Sequence, residues 1–569
     1  MSEWLTQTDR EDAINVLKQR LTCKQMRDVI NREIEDLVSG AERVKGNEKS
    51  RISNEELAGF LIDVEGVDLF KKTEMREYLV KSLDADQIRT LASWNSDPLP
   101  RSQRERIQQI VGRRWHPGKQ WSQYFASFLG FPKSFAGLVG SPNGPAIEEV
   151  EPYIHLPSLY DYQHDLLTQL QEVLNISSHQ KRALLSLPTG AGKTRTAVEA
   201  LLTWWNKNED IKPYILWIAQ SDELCEQAAE SFREVWVDKG GGGIRKTLRI
   251  YRCWGSYKAF PEEYADGVVV ASIQKLHRSV QTDIGKEELH RIVEDALAVV
   301  IDEGHRSTAD SYTEVLEAAG FTFGRSDTDS PAPLIGLTAT PYRGFSHEEN
   351  QKLTRRYNGK LLTSKILGDD PLQTLRERGV LSYVNHETLH TDAKFELTHE
   401  EVQHFQQMNE LPASFVTRVG QDAKRNYLLL ENLVEIPEDW PVLCFGCSVH
   451  HASALAVLLR RKGRTAAVVT SDTRRATRRH LIEEFRQRRI QVLCNYGVLT
   501  TGFDAPKIRA VVIARPTTSV VLYEQMIGRG MRGPANGGTD KCLVVDLTDN
   551  IARFQGQMAY KRMENLWRS

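Results

Sequence analysis

The sequence predicts three parts in succession: a mainly α-helical unit and then two α/β domains, each built on a parallel sheet. Three observations predict this. Through residue 150 or so, apolar residues recur at helix spacing, as in Ala13-Ile14-Leu17, Met26-Val29-Ile30-Ile34-Leu37 and Leu57-Phe60-Leu61. From Tyr160 the text changes to short apolar runs alternating with helical stretches, the pattern of a parallel sheet with crossover helices. After a linking region near 345 to 375 a second such series begins. The expected divisions are 1–150, 151–345 and 346–569.

At 569 residues the chain is too long for one core. Its 40% hydrophobic and 26% charged content is that of an ordinary water-soluble protein. The net charge of −2 leaves partners open, because a nucleic-acid binder can be neutral overall when its basic residues are local. Seven cysteines in such a length do not suggest a disulfide framework. The lone Cys444-x-x-Cys447 lies inside an apolar run and reads as core. Residues 1–20 are charged, with no apolar leader, and no run approaches membrane-spanning length. A cytoplasmic protein with no membrane partner is the expectation.

In the first α/β domain, Arg182-Ala183-Leu184-Leu185 reads as a buried strand. Runs at 214–218, 268–270, 298–301 and 334–337 continue the series. The first strand leads into Leu187-Pro188-Thr189-Gly190-Ala191-Gly192-Lys193-Thr194, and Ala197 to Leu202 starts a helix. Strand, glycine-rich turn and helix make a phosphate-binding loop. Gly190 and Gly192 let backbone N–H groups turn towards a phosphate chain at the positive end of the helix. Lys193 would reach the β/γ-phosphates of ATP, and the Thr194 hydroxyl would ligate Mg²⁺. The general pattern has glycine where this chain has Leu187.

Ile301-Asp302-Glu303-Gly304-His305 closes another apolar strand. An acid there faces the crevice at the carboxyl edge of a parallel sheet. Asp302 is placed to hold Mg²⁺ through its water shell, and Glu303 to orient and deprotonate an attacking water. In the last domain, runs at 442–445, 465–469, 491–494, 510–513 and 543–545 read as strands. Gln525-Met526-Ile527-Gly528-Arg529-Gly530-Met531-Arg532 puts two guanidinia at i and i+3, expected on one helix face. Arginine matches a phosphate with a planar fork and stays charged. A phosphate loop without its own arginine finger takes one from outside.

Together these segments resemble superfamily 2 DExH helicases and translocases, and more closely the type III restriction-like, XPB-like and RadD-like group. The resemblance covers roughly residues 156–550 and implies two RecA-like domains with ATP between them. Tyr162-Gln163 resembles the family's adenine-reading glutamine. Leu187 to Thr194 is similar to motif I, in the Pro-Thr-Gly-x-Gly-Lys-Thr variant that accounts for Leu187. Asp302 to His305 is similar to motif II, although Ala or Cys is usual where Gly304 stands. Thr338-Ala339-Thr340 resembles motif III, Thr501-Gly502-Phe503-Asp504 motif V and Gln525 to Arg532 motif VI. This implies that Gln525, Gly502 and Asp504 join the ATP site. It implies strand contacts from Gln220, Ser221, Ser272 and Gln274, in motifs Ia and Ic, and from Thr500 and Thr501.

The implied function is an ATP-dependent helicase or translocase acting on DNA more than RNA, in bacterial defence or DNA repair. A duplex-DNA translocase or ATPase switch serving a nuclease partner is the alternative. A nucleic-acid-binding scaffold with an inactive ATPase is the rival from another class, and intact Lys193, Asp302, Glu303, Arg529 and Arg532 argue against it.

Two basic stretches stand outside these motifs. Arg101 to Trp121 holds Arg101, Arg104, Arg106, Arg113, Arg114 and Lys119 against Glu105, with Trp115 and Trp121 interleaved. It suits phosphate neutralisation and base stacking, or it is a solvated helix face with its tryptophans tucked inward. Arg474, Arg475, Arg478 and Arg479 form two i,i+4 pairs that need phosphates, acids or solvent to offset their repulsion.

Overall fold

The structure is a computed structural model. It describes all residues except 1–6, 45–52, 97, 138–146, 151–155, 176–179, 209–212, 240–242, 259, 261–265, 324–329, 342–346, 409, 500–504, 506 and 552–569. Thr500, Thr501, Gly502 and Asp504 therefore lie outside the described residues, as does the segment Ser141 to Pro145.

The first sheet has eight strands: β1 Ile147–Val150, β2 Arg182–Ser186, β3 Tyr214–Ala219, β4 Leu248–Cys253, β5 Gly267–Ser272, β6 Ala296–Asp302, β7 Leu334–Thr338 and β8 Leu361–Leu362. Their order is β1-β4-β5-β3-β6-β7-β2-β8, parallel throughout except for β1 against β4. The central strands β3, β5, β6 and β7 are buried at every residue, because crossover helices cover both faces. The second sheet holds β9 Tyr383–Phe395, β10 Val442–Phe445, β11 Ala466–Val469, β12 Val492–Asn495, β13 Ala510–Ile513 and β14 Lys541–Ile551. Its order is β11-β12-β10-β13-β14-β9, all parallel. These are two RecA-like domains in tandem. The division expected at 345 falls too early, because Leu361 and Leu362 pair with Leu184 and Leu185 and so belong to the first sheet.

The N-terminal unit is helical among its described residues up to β1. Eight α-helices run from Gln7–Arg20 to Gln120–Phe128. Ser53, Asp84 and Ser102 each close a capping box with Glu56, Gln87 and Glu105, which fixes three of the helix starts. This unit is not a separate globule. Its core, with Leu61, Phe70, Leu79 and Phe125, is continuous with Leu433, Leu455 and Leu459 on the helices Ala423–Glu435 and Val449–Arg461 of the last domain. Polar contacts follow the same seam. Arg461 pairs with Glu42 (2.7 Å), Asn31 bonds His450 (3.0 Å) and Thr477 bonds Asp68 (3.3 Å).

Trp115 and Trp121 are each 8% exposed and packed with Phe125. The Arg113 guanidinium lies 4.5 Å from the Trp121 ring centroid and donates to the Ala92 carbonyl (3.2 Å). The two indoles are tucked inward, so base stacking on them does not describe this surface, while Arg101, Arg104, Arg114 and Lys119 stay exposed. All seven cysteines are free, and Cys444 and Cys447 are buried in the core as expected. Among the described residues no helix is long and apolar enough to cross a membrane.

Candidate functional site

The carboxyl ends of β2, β6 and β7 bring the phosphate loop and the acid pair together, because the three strands are neighbours in the sheet. Gly190 (φ 86°) and Gly192 (φ 84°) take left-handed backbone that a side chain would strain. Gly192 precedes the helix Lys193–Lys207, so the loop's N–H groups end on a helix N-terminus. The Pro188 carbonyl accepts from the Ala191 N–H (3.1 Å), closing the turn, and the Leu187 N–H donates to the Thr338 carbonyl (3.2 Å). Leu187 itself is 1% exposed, so the departure from the general pattern fills core. Thr194 is half-buried at the helix start.

Gln163 is buried beside the loop. Its amide oxygen accepts from the Tyr160 N–H (2.9 Å), and its nitrogen donates to the Ala191 carbonyl (3.2 Å). Tyr162 donates to the same carbonyl (2.9 Å). In this arrangement Gln163 ties the phosphate loop to the start of its own helix.

Asp302 and Glu303 are both nearly buried. Burial pushes the Asp302 carboxyl up to about 6, and the adjacent Glu303 charge adds to it, against the pull of Lys193 and Arg529. Burial acts on Glu303 in the same sense. There the positive charges of Lys193, His305, Arg529 and Arg306 prevail and hold it below the usual carboxylate range. Two carboxyls side by side are thus set apart, burial raising one and nearby positive charges lowering the other. Glu303 sits at φ 56°, a strained backbone for a non-glycine. Gly304 supports that turn. A Cβ there would stand 2.8 Å from the Gly336 Cα and 2.9 Å from Leu184 Cδ1, so the Ala or Cys usual at this place does not fit. His305 Nδ1 bonds the Thr338 hydroxyl (3.0 Å), which in turn donates to the Thr340 carbonyl (2.8 Å), tying motif II to motif III.

The second domain reaches the same place. Arg529 acts on both carboxyls, and Arg532 Cγ lies 3.8 Å from where a Cβ on Gly190 would stand. The local structure differs from the expected helix. The helix Val520–Ile527 ends at Gly528, Arg529 lies in the following turn, and Arg532 forms an antiparallel bridge with Leu381. The glycines explain the ending. A Cβ on Gly528 would come 2.5 Å from Thr189 Cγ2, and one on Gly530 would come 2.4 Å from Cys542 Sγ. Gln525 is 5% exposed on that helix.

The expected strand-contacting residues gather at the ends of β3 and β5, which pair with Ala219 opposite Ser272. Gln274 donates to the Gln220 carbonyl (2.6 Å), and the Ser221 hydroxyl accepts from the Leu224 N–H (3.3 Å). Ser272 is only 3% exposed and so lies beneath that surface. Arg478 has an acid for a partner, Glu223 of the first domain, and also donates to the Thr470 carbonyl (3.0 Å). That answers part of the repulsion in the arginine cluster. Sequence reasoning missed this pair, the ion pair Arg378–Asp161 (2.5 Å) and the loop at Asn536. The last had a signal in Gly533-Pro534-Ala535-Asn536-Gly537-Gly538, a turn-rich run directly after the arginines.

ATP and Mg²⁺ fit these residues. The loop has positive-φ glycines and a helix N-terminus for phosphate, and the buried Asp302 carboxyl lies within electrostatic reach of Lys193 at that helix start.

Residues 156–343 match the family described as type III restriction enzyme, res subunit, and residues 425–533 match the helicase conserved C-terminal domain. A Saccharomyces cerevisiae protein provisionally named ATP-dependent helicase IRC3 is 27% identical over 401 residues, covering 68% of this chain and 51% of that protein. The EcoKI type I restriction enzyme endonuclease subunit of Escherichia coli K12 is 26% identical over 419 residues, covering 65% of this chain and 33% of that protein. The chain thus spans about half or less of the length of these relatives. Among solved structures, S. cerevisiae Dbp5 bound to RNA and ADP BeF3 aligns with a TM-score of 0.46 and 16% identity, over 72% of this chain and 87% of that one.

Proposed function

Because the chain belongs to the superfamily 2 helicases and translocases, with a type III restriction-like first domain, we propose that it is a nucleic-acid-dependent ATP hydrolase that moves along DNA. One observation carries this reading: the arginine turn of the second domain packs on the phosphate loop, with Arg532 against Gly190 and Gly528 against Thr189, in the cleft where the acid pair closes β6.

In this reading the backbone of Pro188 to Thr194 holds the phosphates and Lys193 reaches the β/γ-phosphates. Glu303 orients a water in line with the γ-phosphorus and takes its proton as the new P–O bond forms and the β,γ-bridging oxygen departs. Arg529 and Arg532 offset the charge that spreads over the phosphoryl oxygens. Thr194 and Asp302 would hold Mg²⁺, which would supply charge neutralisation to the phosphate chain. Gln525 shapes the arginine turn, and Gly502 and Asp504 complete the nucleotide contacts. Gln220, Ser221, Gln274, Thr500 and Thr501 grip one strand's backbone across both domains. Arg114 and its exposed neighbours in the helical unit add sequence-independent phosphate contacts.

The match to a type I restriction endonuclease subunit favours a second reading, a duplex-DNA translocase that serves a nuclease partner in defence. ATPase assays with no nucleic acid, single-stranded DNA, duplex DNA and RNA test both. Stimulation by a single strand with strand separation supports a helicase, and stimulation by duplex alone supports the translocase. An unstimulated, inactive protein overturns both.

A further inference from the structure

The connector between the two domains, residues 363–382, does more than join them. It leaves the first sheet at β8 and enters the second at β9, and it passes through the cleft on the way. Arg378 pairs with Asp161, two residues before Gln163. The Leu381 side chain lies against the phosphate loop, with Cδ2 3.1 Å from where a Cβ on Gly190 would stand. The same stretch grips the arginine segment by backbone. The Gly533 N–H donates to the Val380 carbonyl (3.0 Å), the Ala535 N–H to the Gly379 carbonyl (3.0 Å), and the Ser382 N–H to the Met531 carbonyl (2.9 Å).

Asn536 ties the knot. Its Nδ2 donates to the Gly190 carbonyl of the phosphate loop (3.2 Å) and to the Val380 carbonyl of the connector (3.3 Å). Both partners are acceptors, so only the NH₂ end of the carboxamide can face them. One side chain from the second domain thus bonds the first domain's nucleotide loop and the linker together. Nearby, the Tyr160 hydroxyl donates to the Ala535 carbonyl (3.4 Å).

We propose that Asn536 is a positioning residue for ATP hydrolysis: by bonding Gly190 and Val380 at once, it sets the register between the phosphate loop and the Arg529–Arg532 turn. It touches no reacting atom. It acts through the arginines, which serve only when the two domains meet in this register. The inference rests on the ATPase reading of the same site.

The test uses the full chain with DNA and compares Asn536→Ala and Asn536→Asp. Aspartate has nearly the same shape but only acceptors, which would face two carbonyls. Its turnover number is expected to fall about tenfold, and that of alanine several-fold, as for loss of two neutral hydrogen bonds. Affinity for a fluorescent ADP analogue should stay within about twofold, because the phosphate loop itself is intact. The decisive measurement adds Asn536→Ala to the Arg529→Ala/Arg532→Ala background. If Asn536 works through that turn, the triple variant turns over no more slowly than the Arg529→Ala/Arg532→Ala variant. Wild-type turnover in Asn536→Asp, or a further loss in the triple variant, would overturn the proposal. An unmodified chain with no DNA-stimulated ATPase would instead sink the reading of the site beneath it.

Discussion

Asp63 offers a measurable test of how the helical unit is held. It lies between two arginines. Arg10 donates through Nε and Nη2 to the two carboxylate oxygens, at 3.0 and 2.9 Å, and Arg460 of the last domain lies 3.9 Å from Oδ1 and donates to the Asp63 carbonyl. The Asp63 side chain is 4% exposed. Burial lowers the Arg460 pKa, while the bond to Asp63 raises that of Arg10. Asp63→Ala removes the acid and leaves two guanidinia facing each other in a shared core. Breaking a buried pair by deleting one partner costs about 3–5 kcal/mol. Arg10 is a third exposed and can regain water, so the lower end, about 3 kcal/mol, is expected. With a urea slope of about 3 kcal/mol/M, the first unfolding midpoint should fall by about 1 M. Intrinsic fluorescence follows it, because Trp94, Trp115 and Trp121 lie in the helical unit and Trp440 in the last domain. Helical unit and last domain should unfold together in the wild type. An unmoved midpoint in Asp63→Ala, or a helical unit that melts alone, would refute the shared core. The same reasoning expects deletion of residues 1–136 to give an aggregating protein, since it uncovers the apolar helices Ala423–Glu435 and Val449–Arg461.

Other expectations concern the cleft and a buried histidine. Lys193→Ala should abolish ATP turnover, and normal turnover would remove the basis of the functional reading. Glu303→Gln should bind ATP and hydrolyse it at least about 100-fold more slowly, since the amide cannot take the proton; single-turnover kinetics measure this. Gly304→Ala should cost about 1–3 kcal/mol of stability by overpacking against Gly336 and Leu184, and should slow turnover as Glu303 shifts. His451 is buried and neutral: Nδ1 accepts from the Cys447 N–H (3.0 Å), Nε2 bonds Asn426 (2.9 Å), and burial takes its pKa from 6.5 down to about 3. The folded value is depressed, so its stabilising effect is complete above pH 6.5. It is lost on acidification, by about 1.4 kcal/mol per pH unit towards pH 3. His451→Gln should flatten that part of the stability–pH curve, and an unchanged slope would show that the imidazole is protonated in the fold.

The cleft was legible because its chemistry is local. The phosphate loop, the acid pair and the arginines each occupy a few consecutive residues at strand ends, and strands buried on both faces, such as β5 and β6, print as unbroken apolar runs. Edge strands do not. β9, Tyr-Val-Asn-His-Glu-Thr-Leu-His-Thr-Asp-Ala-Lys-Phe, is polar because one side of it has no neighbouring strand, and two-residue β8 is too short to leave a pattern. The helix expected through Arg532 stops at Gly528 because the phosphate loop of the other domain comes within van der Waals reach there. Partners such as Glu223 for Arg478, or Asp63 for Arg460, lie hundreds of residues away and are fixed by packing that no window of sequence contains.

The connector also bounds how far the cleft can open. Residues 363–382 run from one edge strand to another, and the helix Pro371–Glu377 shortens them. Even if the rest were drawn straight, the two sheet edges could part by no more than about 55 Å. At that leash length each domain sees the other at an effective concentration in the millimolar range. Reclosure after product release is therefore a unimolecular event whose rate is independent of how dilute the protein is. Cutting the chain within 363–382 would leave the helical unit as the remaining tether, since it is joined by chain to the first domain and shares a core with the last, so ATP turnover would still be independent of protein concentration.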